Sequence, residues 1–398
     1  MTPKLSTWKE TAWKRAFFFL AFICLGLGTL ELRLVPRLMA KIIPDRFPWS
    51  HADQALLETM VERSMSGLED RRRSDLLEPV SKRRSTLEHQ LDLIRRPDRS
   101  IAMPYACLAY GLVHAYRVAP RPETLSALQK LANQMCDAKG ELRLRSPIKV
   151  EEALSGYLLL ELSGLLDEPR YLKAAGEMAR LYKSEHPKSI AGTLAYTRSQ
   201  QQEMLVDTIG LLCPFLIRYG VTAKDAESIA LGVRQIDHFI ENGMDASTGL
   251  PWHAYSDTTL EKYGASDWAR GAGWMALGLS EALKWLPPEH EARARFSIAL
   301  SNLAAVLVKH QRPDGLWNWA VRIPSAAPDT SATAMFAIAL HNGIILGVLP
   351  DGHSTSLQNA VDGLARKTSH RGVLTQSLYD CQGIGHYPKA FGPSPFGQ

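Results

Sequence analysis

Residues 270–285 read RGAGWMALGLSEALKW, residues 286–288 read LPP, and residues 289–310 read EHEARARFSIALSNLAAVLVKH. Apolar side chains recur at helical spacing on both sides of Pro287-Pro288, and a proline pair cannot continue a helix. The stretch predicts two helices joined by a short turn. The same pattern extends in both directions. Helices are predicted over 101–118, 122–137, 151–165, 169–184, 203–219, 224–241, 329–346 and 355–367. Breakers fall between them: Pro120 and Pro122, Pro147, Pro169, Gly220, Pro313 with Gly315, and Pro350 with Gly352. No run of period-two alternation competes. The segments form hairpin-like pairs that recur roughly every 40–50 residues. With one more helix from 51–68, the count approaches the twelve of an (α/α)6 barrel; a helical solenoid is the other arrangement of such hairpins.

The joins are unequal. Those at 185–202, 242–269 and 311–328 are long and carry Trp, Tyr, His, Asp and Arg. Those at 166–169, 220–223 and 286–289 are short and plain. In a toroid of hairpins alternate joins share a rim, so long aromatic joins imply a lined cleft on one side.

The chain has 398 residues, 45% hydrophobic and 22% charged, with a net charge of +5. That composition excludes a disordered chain or a small disulfide scaffold. Residues 1–100 hold 18 Lys and Arg against 13 Asp and Glu, and the remainder is neutral at 28 against 28. A nucleic-acid protein carries its basic surface on the folded body, so no nucleic-acid partner is expected. Lys4, Lys9, Lys14 and Arg15 precede an uncharged run from Ala16 to Leu30. This reads as an uncleaved signal anchor, extended by Leu32, Leu34 and Val35, with the body exported. The expected organisation is a leader and anchor over 1–35, a polar connector with a first helix over 36–100, and a barrel over 101–398. The five cysteines show no C-x-x-C spacing, and no metal site or cofactor is expected.

Four segments could carry chemistry. In Leu205–Leu216 a single carboxylate, Asp207, interrupts an apolar helix start. It is either a general acid with a raised pKa or a helix N-cap. Asp245 to Asp257 forms a turn that presents Trp252, His253 and Tyr255; His253 has a site role or a structural one. Trp268-Ala269-Arg270-Gly271-Ala272-Gly273-Trp274 combines a guanidinium fork, two flat faces and two glycines. Those suit an acidic sugar, and the alternative is a tight helix–helix contact. Asp314–Trp319 and Asp329–Met335 read as an aromatic loop and a small-residue helix start, with mostly structural roles.

Read in order, these segments resemble the unsaturated glucuronyl and rhamnogalacturonyl hydrolases, glycoside hydrolase families 88 and 105. The carrying residues are Asp167–Tyr171, Val206-Asp207 through Leu216, Thr248-Gly249-Leu250 with His253, the Trp268–Trp274 string, Asp314–Trp317 and Thr330–Phe336. The resemblance implies an (α/α)6 barrel that acts on a Δ4,5-unsaturated uronyl oligosaccharide by hydrating its vinyl ether. It implies Asp207 as general acid and base. Arg270 would hold the uronate or the neighbouring sugar, Trp268 and Trp274 would stack, and His253 would bond a hydroxyl or position water. Two positions depart from the family pattern. Glu151 stands where the family has a second catalytic-site Asp, and Tyr196 stands near a family His. The chain also stops about one helix before the family does. The alternative reading is a catalytically altered sugar-binding or envelope polysaccharide-assembly protein on the same barrel.

Overall fold

The stretch Ala153–Leu166 reads ALSGYLLLELSGLL and is apolar on every side, whereas Pro169–Ser184, reading PRYLKAAGEMARLYKS, has one apolar face. The first can only be stable surrounded by protein; the second can cover it and face water. That contrast organises the molecule. The computed structural model describes residues 48–69, 103–144, 148–197, 201–379, 381, 383–387 and 391–392.

The described helices are α1 (Gln54–Glu69), α2 (Met103–Val118), α3 (Pro122–Met135), α4 (Ala153–Leu166), α5 (Pro169–Ser184), α6 (Asp207–Leu211), α7 (Cys213–Ala223), α8 (Ala226–Asn242), α9 (Ala269–Trp285), α10 (Ala292–Lys309), α11 (Thr330–Ile345) and α12 (Ser354–Arg366). An inner layer runs α2, α4, α6–α7, α9, α11, each packed on the next. An outer layer of α3, α5, α8, α10 and α12 packs each on its predecessor. The helix α1 packs on α2 and α3. Its leading segment also meets the end of α12: Trp49 Nε1 donates to Ser369 O at 3.3 Å, and Arg366 Nη1 donates to Ser50 O at 3.1 Å. Two apolar clusters, one from α1–α5 and one from α8–α12, meet at α6, α7 and α9. There α6 and α9 touch through glycine. A Cβ on Gly278 would lie 2.4 Å from Ile209 O, and one on Gly210 would lie 2.6 Å from the Trp274 ring.

Most helix bounds agree with the sequence expectation, and the protein is mostly helical. One segment differs. Residues 203–219 are not a single helix. Glu203–Leu205 form β1, and α6 ends before α7 begins at Cys213. Pro214 has no N–H to continue the α6 ladder, which forces the break. Strand β1 pairs antiparallel with β2 (Ala254–Ser256), which pairs with β3 (Lys262–Tyr263). These strands are too short to show alternation, so the sequence pattern misses them. A further pair joins β4 (Ser377–Leu378) to β5 (Phe391–Gly392). The two positive-φ caps, Asp167 and Lys224, close α4 and α7 with left-handed turns.

The expected anchor over 1–35 and most of the basic connector lie outside the described residues. Among the described residues no helix is long and apolar enough to cross a membrane. The three long joins do meet on one rim. Ala191 N donates to Asp257 Oδ2 at 3.0 Å, Asp257 N donates to Gln202 O at 2.7 Å, and Ala269 N donates to Trp319 O at 2.8 Å. The first turns of α4, α6, α9 and α11 begin at this rim.

Candidate active site

Asp207 is the first residue of α6, one position inside the cap, which is Val206. The N-cap alternative is therefore not what the structure shows. Val206 N donates to His253 O at 2.9 Å, which ties the helix start to the bend just before β2. The imidazole Nε2 lies 3.6 Å from Asp207 Oδ2; His253 is 3% exposed and the Asp207 side chain 15%. Burial, with the nearby Arg270 cation, lowers the His253 pKa to about 4. The ring is neutral at neutral pH, so this contact is not an ion pair there.

Trp268 sits just before α9, with its ring 4.4 Å from the His253 ring. It is almost wholly buried, and its Nε1 has no hydrogen-bond partner among the described residues. Such an orphaned buried donor is uncommon. Arg270, the second residue of α9, is 7% exposed. Its Nη1 donates to Leu378 O at 2.7 Å and its Nη2 to Tyr379 O at 3.0 Å. The guanidinium thus clamps β4 over the rim, a task that the sequence did not reveal. From the other side Asp329, the N-cap of α11, accepts from Leu378 N at 3.1 Å and from Ser331 N at 3.0 Å. Asp329 is fully buried, and its Oδ2 has no hydrogen-bond partner among the described residues.

Trp274 lies deeper than its place in the string suggests. It is 8% exposed, packs on Gly210, and belongs to the apolar core. The two glycines of the string face side chains: a Cβ on Gly271 would lie 2.8 Å from the Trp268 ring, and one on Gly273 would lie 2.9 Å from Met335 Sδ. The helix-contact alternative describes them.

Glu151 lies in a 3-10 turn, Val150–Glu152, that packs against α6. Tyr196 Oη donates to Glu151 Oε1 at 2.9 Å. The two residues that depart from the family pattern are thus bonded to each other, beside the helix of Asp207. The turn at Asp245 forms as expected, with Ser247 N on Asp245 Oδ1 at 2.9 Å. It does not present its aromatics together. Tyr255 is buried against α8, its Oη 2.6 Å from His238 Nδ1.

Two features escaped the sequence reading. The first is Tyr387, on the C-terminal stretch, whose Oη is 2.9 Å from His253 Nδ1. The second is a buried charge network away from the rim, in the middle and last turns of the inner helices. Arg218 Nη1 meets Glu161 Oε1 at 2.5 Å, and Arg117 also bonds Glu161. Glu281 Oε1 accepts from Asn342 Nδ2 at 2.9 Å and from Tyr110 Oη at 3.2 Å. No single helix shows these as a motif. Among the described residues no group of three His, Cys, Asp or Glu is arranged to hold a metal ion.

Comparison with known proteins fits this arrangement. The unsaturated rhamnogalacturonyl hydrolase YesR of Bacillus subtilis is 24% identical over 236 residues, which cover 58% of this chain and 67% of that protein. Protein Atu3128 of Agrobacterium fabrum is 34% identical over 146 residues, covering 34% of this chain and 62% of its own length. Among solved structures, a possible member of family GH105 from Klebsiella pneumoniae superposes with a TM-score of 0.73 at 18% identity, covering 89% of this chain and 92% of that one. The unsaturated glucuronyl hydrolase of Bacillus sp. GL1 superposes with a TM-score of 0.58 at 14% identity, covering 75% and 83%. The model of Glycosyl Hydrolase Family 88 matches residues 82–392, more than half the chain. With its helical layers, its rim carboxylate and unsaturated uronyl hydrolases among its homologues, this chain belongs to glycosyl hydrolase family 88.

Proposed function

We propose that this protein hydrolyses oligosaccharides ending in a Δ4,5-unsaturated uronic acid, on an (α/α)6 barrel. The reaction is hydration of the vinyl ether. Asp207 gives a proton to C4 and takes one from the water that adds at C5. The resulting hemiketal opens and releases the neighbouring sugar. One observation carries this reading: Asp207 stands at the rim 3.6 Å from a neutral His253, with the Trp268 indole against that imidazole.

The rim suits an acidic substrate for a second reason. The first turns of α4, α6, α9 and α11 converge there, and helix N-termini favour negative charge. Asp207 and Glu151 face the same region, so the uronate would need cationic help. Arg270 uses two of its five N–H donors on Leu378 and Tyr379. The remaining donors support a carboxylate contact. The free Trp268 N–H supports a polar ligand. In this reading Glu151, fixed by Tyr196, sets the shape of the sugar-binding floor, and Trp274 supports it from beneath.

The test is the ultraviolet absorbance of the double bond. Lyase-made pectic and glucuronate-containing oligosaccharides should lose that absorbance when the protein is added. Tight binding of the same oligosaccharides with no loss across the panel would replace hydrolysis by the sugar-binding reading. We also propose that the Ala16–Leu30 run tethers the protein to a membrane, with the barrel on the extracytoplasmic side. Recovery of the full chain in the soluble fraction after cell lysis would overturn that.

A further inference from the structure

The C-terminal stretch comes back over the rim. The Cys381 thiol bonds Gly383 O at 2.8 Å and His386 O at 3.3 Å, which shapes a turn ending at Tyr387. The Tyr387 ring packs against three aromatic rings, 5.6 Å from His253, 5.4 Å from Trp268 and 5.9 Å from Trp319. Among the described residues its hydroxyl has three polar neighbours, two backbone amides and one imidazole. Ala265 N donates to it at 3.0 Å, and His253 Nδ1 lies 2.9 Å away. The approach depends on Gly264, whose φ is +76°; a Cβ there would lie 2.7 Å from His253 Cβ and 2.8 Å from Tyr387 Oη. Only glycine fits both the backbone and the space.

The proton positions follow from donor and acceptor accounting. The phenol oxygen already accepts the Ala265 N–H, and the Gly385 backbone N–H takes its other acceptor position. Its own proton is left for His253 Nδ1. A neutral imidazole that accepts at Nδ1 carries its hydrogen at Nε2. That nitrogen faces Asp207 Oδ2 at 3.6 Å. In the deprotonated form of Asp207, the form that takes a proton from water, the other tautomer would set a lone pair on Nε2 against the carboxylate, which is repulsive.

We propose that Tyr387 is a positioning residue: its hydroxyl fixes His253 as the Nε2–H tautomer and aims that N–H at the Asp207 carboxylate. Tyr387 then acts on Asp207 through the imidazole and touches no substrate. Among the described residues the charged groups facing the imidazole are Asp207 from α6 and Arg270 from α9; the phenol, with its pKa pushed up to about 12 by burial, stays protonated beside it. The expected kinetic consequence rests on the function proposed above, but the tautomer does not.

The test uses the full chain with 15N-labelled histidine and a Tyr387→Phe variant, which keeps the ring and removes the hydroxyl. A His253→Gln variant assigns the His253 signals. In the unmodified protein His253 should show a protonated Nε2 and a bare Nδ1. In Tyr387→Phe that pattern should change toward the other tautomer or a mixture. An unchanged pattern, or a protonated Nδ1 in the unmodified protein, overturns the proposal. On unsaturated oligosaccharide, Tyr387→Phe should lower kcat about 2- to 12-fold, the fold-change that matches the loss of one net hydrogen bond, with KM little changed. The same substitution in a His253→Gln background should cost nothing further. Equal losses in both backgrounds would mean that Tyr387 does not act through His253. If the unmodified protein turns over no substrate, that result counts against the proposed function, and the imidazole spectrum alone decides the role of Tyr387.

Discussion

The two ends of the inner helices are built on opposite principles. Away from the rim, in the middle and last turns of α2, α4, α7, α9 and α11, charges neutralise one another: Glu161 takes Arg117 and Arg218, and Glu281 takes Lys284, Tyr110 and Asn342. Two of the cations, Arg117 and Lys284, also sit in the last turns of their helices, where the backbone dipole favours them. At the first turns, polar groups keep bonding capacity in reserve: Trp268 Nε1 and Asp329 Oδ2 are buried without hydrogen-bond partners among the described residues. One end pairs its charges internally, though the Trp285 N–H beside Arg218 is buried there without a hydrogen-bond partner among the described residues. The other holds the carboxylate to which we assign the chemistry, beside its two unsatisfied atoms. A buried polar group left unsatisfied costs about 1–3 kcal/mol. The difference teaches that charge is paired at one end, while the rim leaves a carboxylate oxygen unsatisfied as well as an indole N–H.

Four substitutions or conditions would break or sharpen that contrast. The largest effect is expected from Asp207→Asn. It removes the proposed proton donor while preserving size, and should lower turnover by about 10²- to 10⁴-fold with the melting temperature held or raised. Continuous absorbance assays with the unsaturated oligosaccharide measure it, and full activity in that variant would remove Asp207 from the chemistry.

Next in size is Arg218→Met at the paired end. Glu161 is 2% exposed and would lose its better-buried partner. Breaking a buried pair on one side costs about 3–5 kcal/mol, and Arg117 on the other flank of Glu161 should hold the loss toward the lower figure. Denaturant unfolding should show the loss, while specific activity of the folded fraction stays near that of the unmodified protein. A collapse of activity at full foldedness would show that the two ends are coupled.

The third prediction concerns acid. His253 has a folded pKa lowered to about 4, against an ordinary value of 6.5. The unfolded chain therefore binds a proton that the folded chain refuses. Stability from this group is fully present above about pH 6.5, and falls as pH drops toward 4. The size is on the order of 3 kcal/mol. Thermal unfolding between pH 7 and pH 4, compared with a His253→Gln variant, should show a steeper acid loss in the unmodified protein; parallel slopes would contradict it.

The smallest effect is expected from Arg117→Met. Its side chain is 45% exposed, so solvent screens its contact with Glu161. The loss should be under about 1 kcal/mol. A loss as large as that of Arg218→Met would show that Arg117 belongs to the buried network.

Legibility in the sequence followed the range of the interaction. Helices such as α9 and α10 are written in their own 3.6-residue period and were bounded to within a few residues. Asp207, His253 and Trp268 were visible because each breaks a local rule: a carboxylate in an apolar run, a His beside aromatics in a turn, a Trp-flanked glycine string. The break between α6 and α7 was legible in principle from Pro214. The clamp made by Arg270 was not, since its partners lie 108 and 109 residues away. Nor was the bond between Tyr196 and Glu151, 45 residues apart. Tyr387 carries no local signal, and its contact with His253 spans 134 residues.

The sequence by itself determined which segments are helical, which helices are apolar all round and so must be enclosed, and which long joins share a rim. Local periodicity and chain breakers suffice for that, because they depend on neighbours within a few residues. The tertiary structure alone decided what each polar group bonds. It turned Arg270 toward the carbonyls of Leu378 and Tyr379, bonded the two departing residues Glu151 and Tyr196 to each other, and brought Tyr387 onto His253. The physical reason is that a hydrogen bond needs two groups within about 3 Å. Only the packing of distant helices and the return of the C-terminal stretch bring those groups that close.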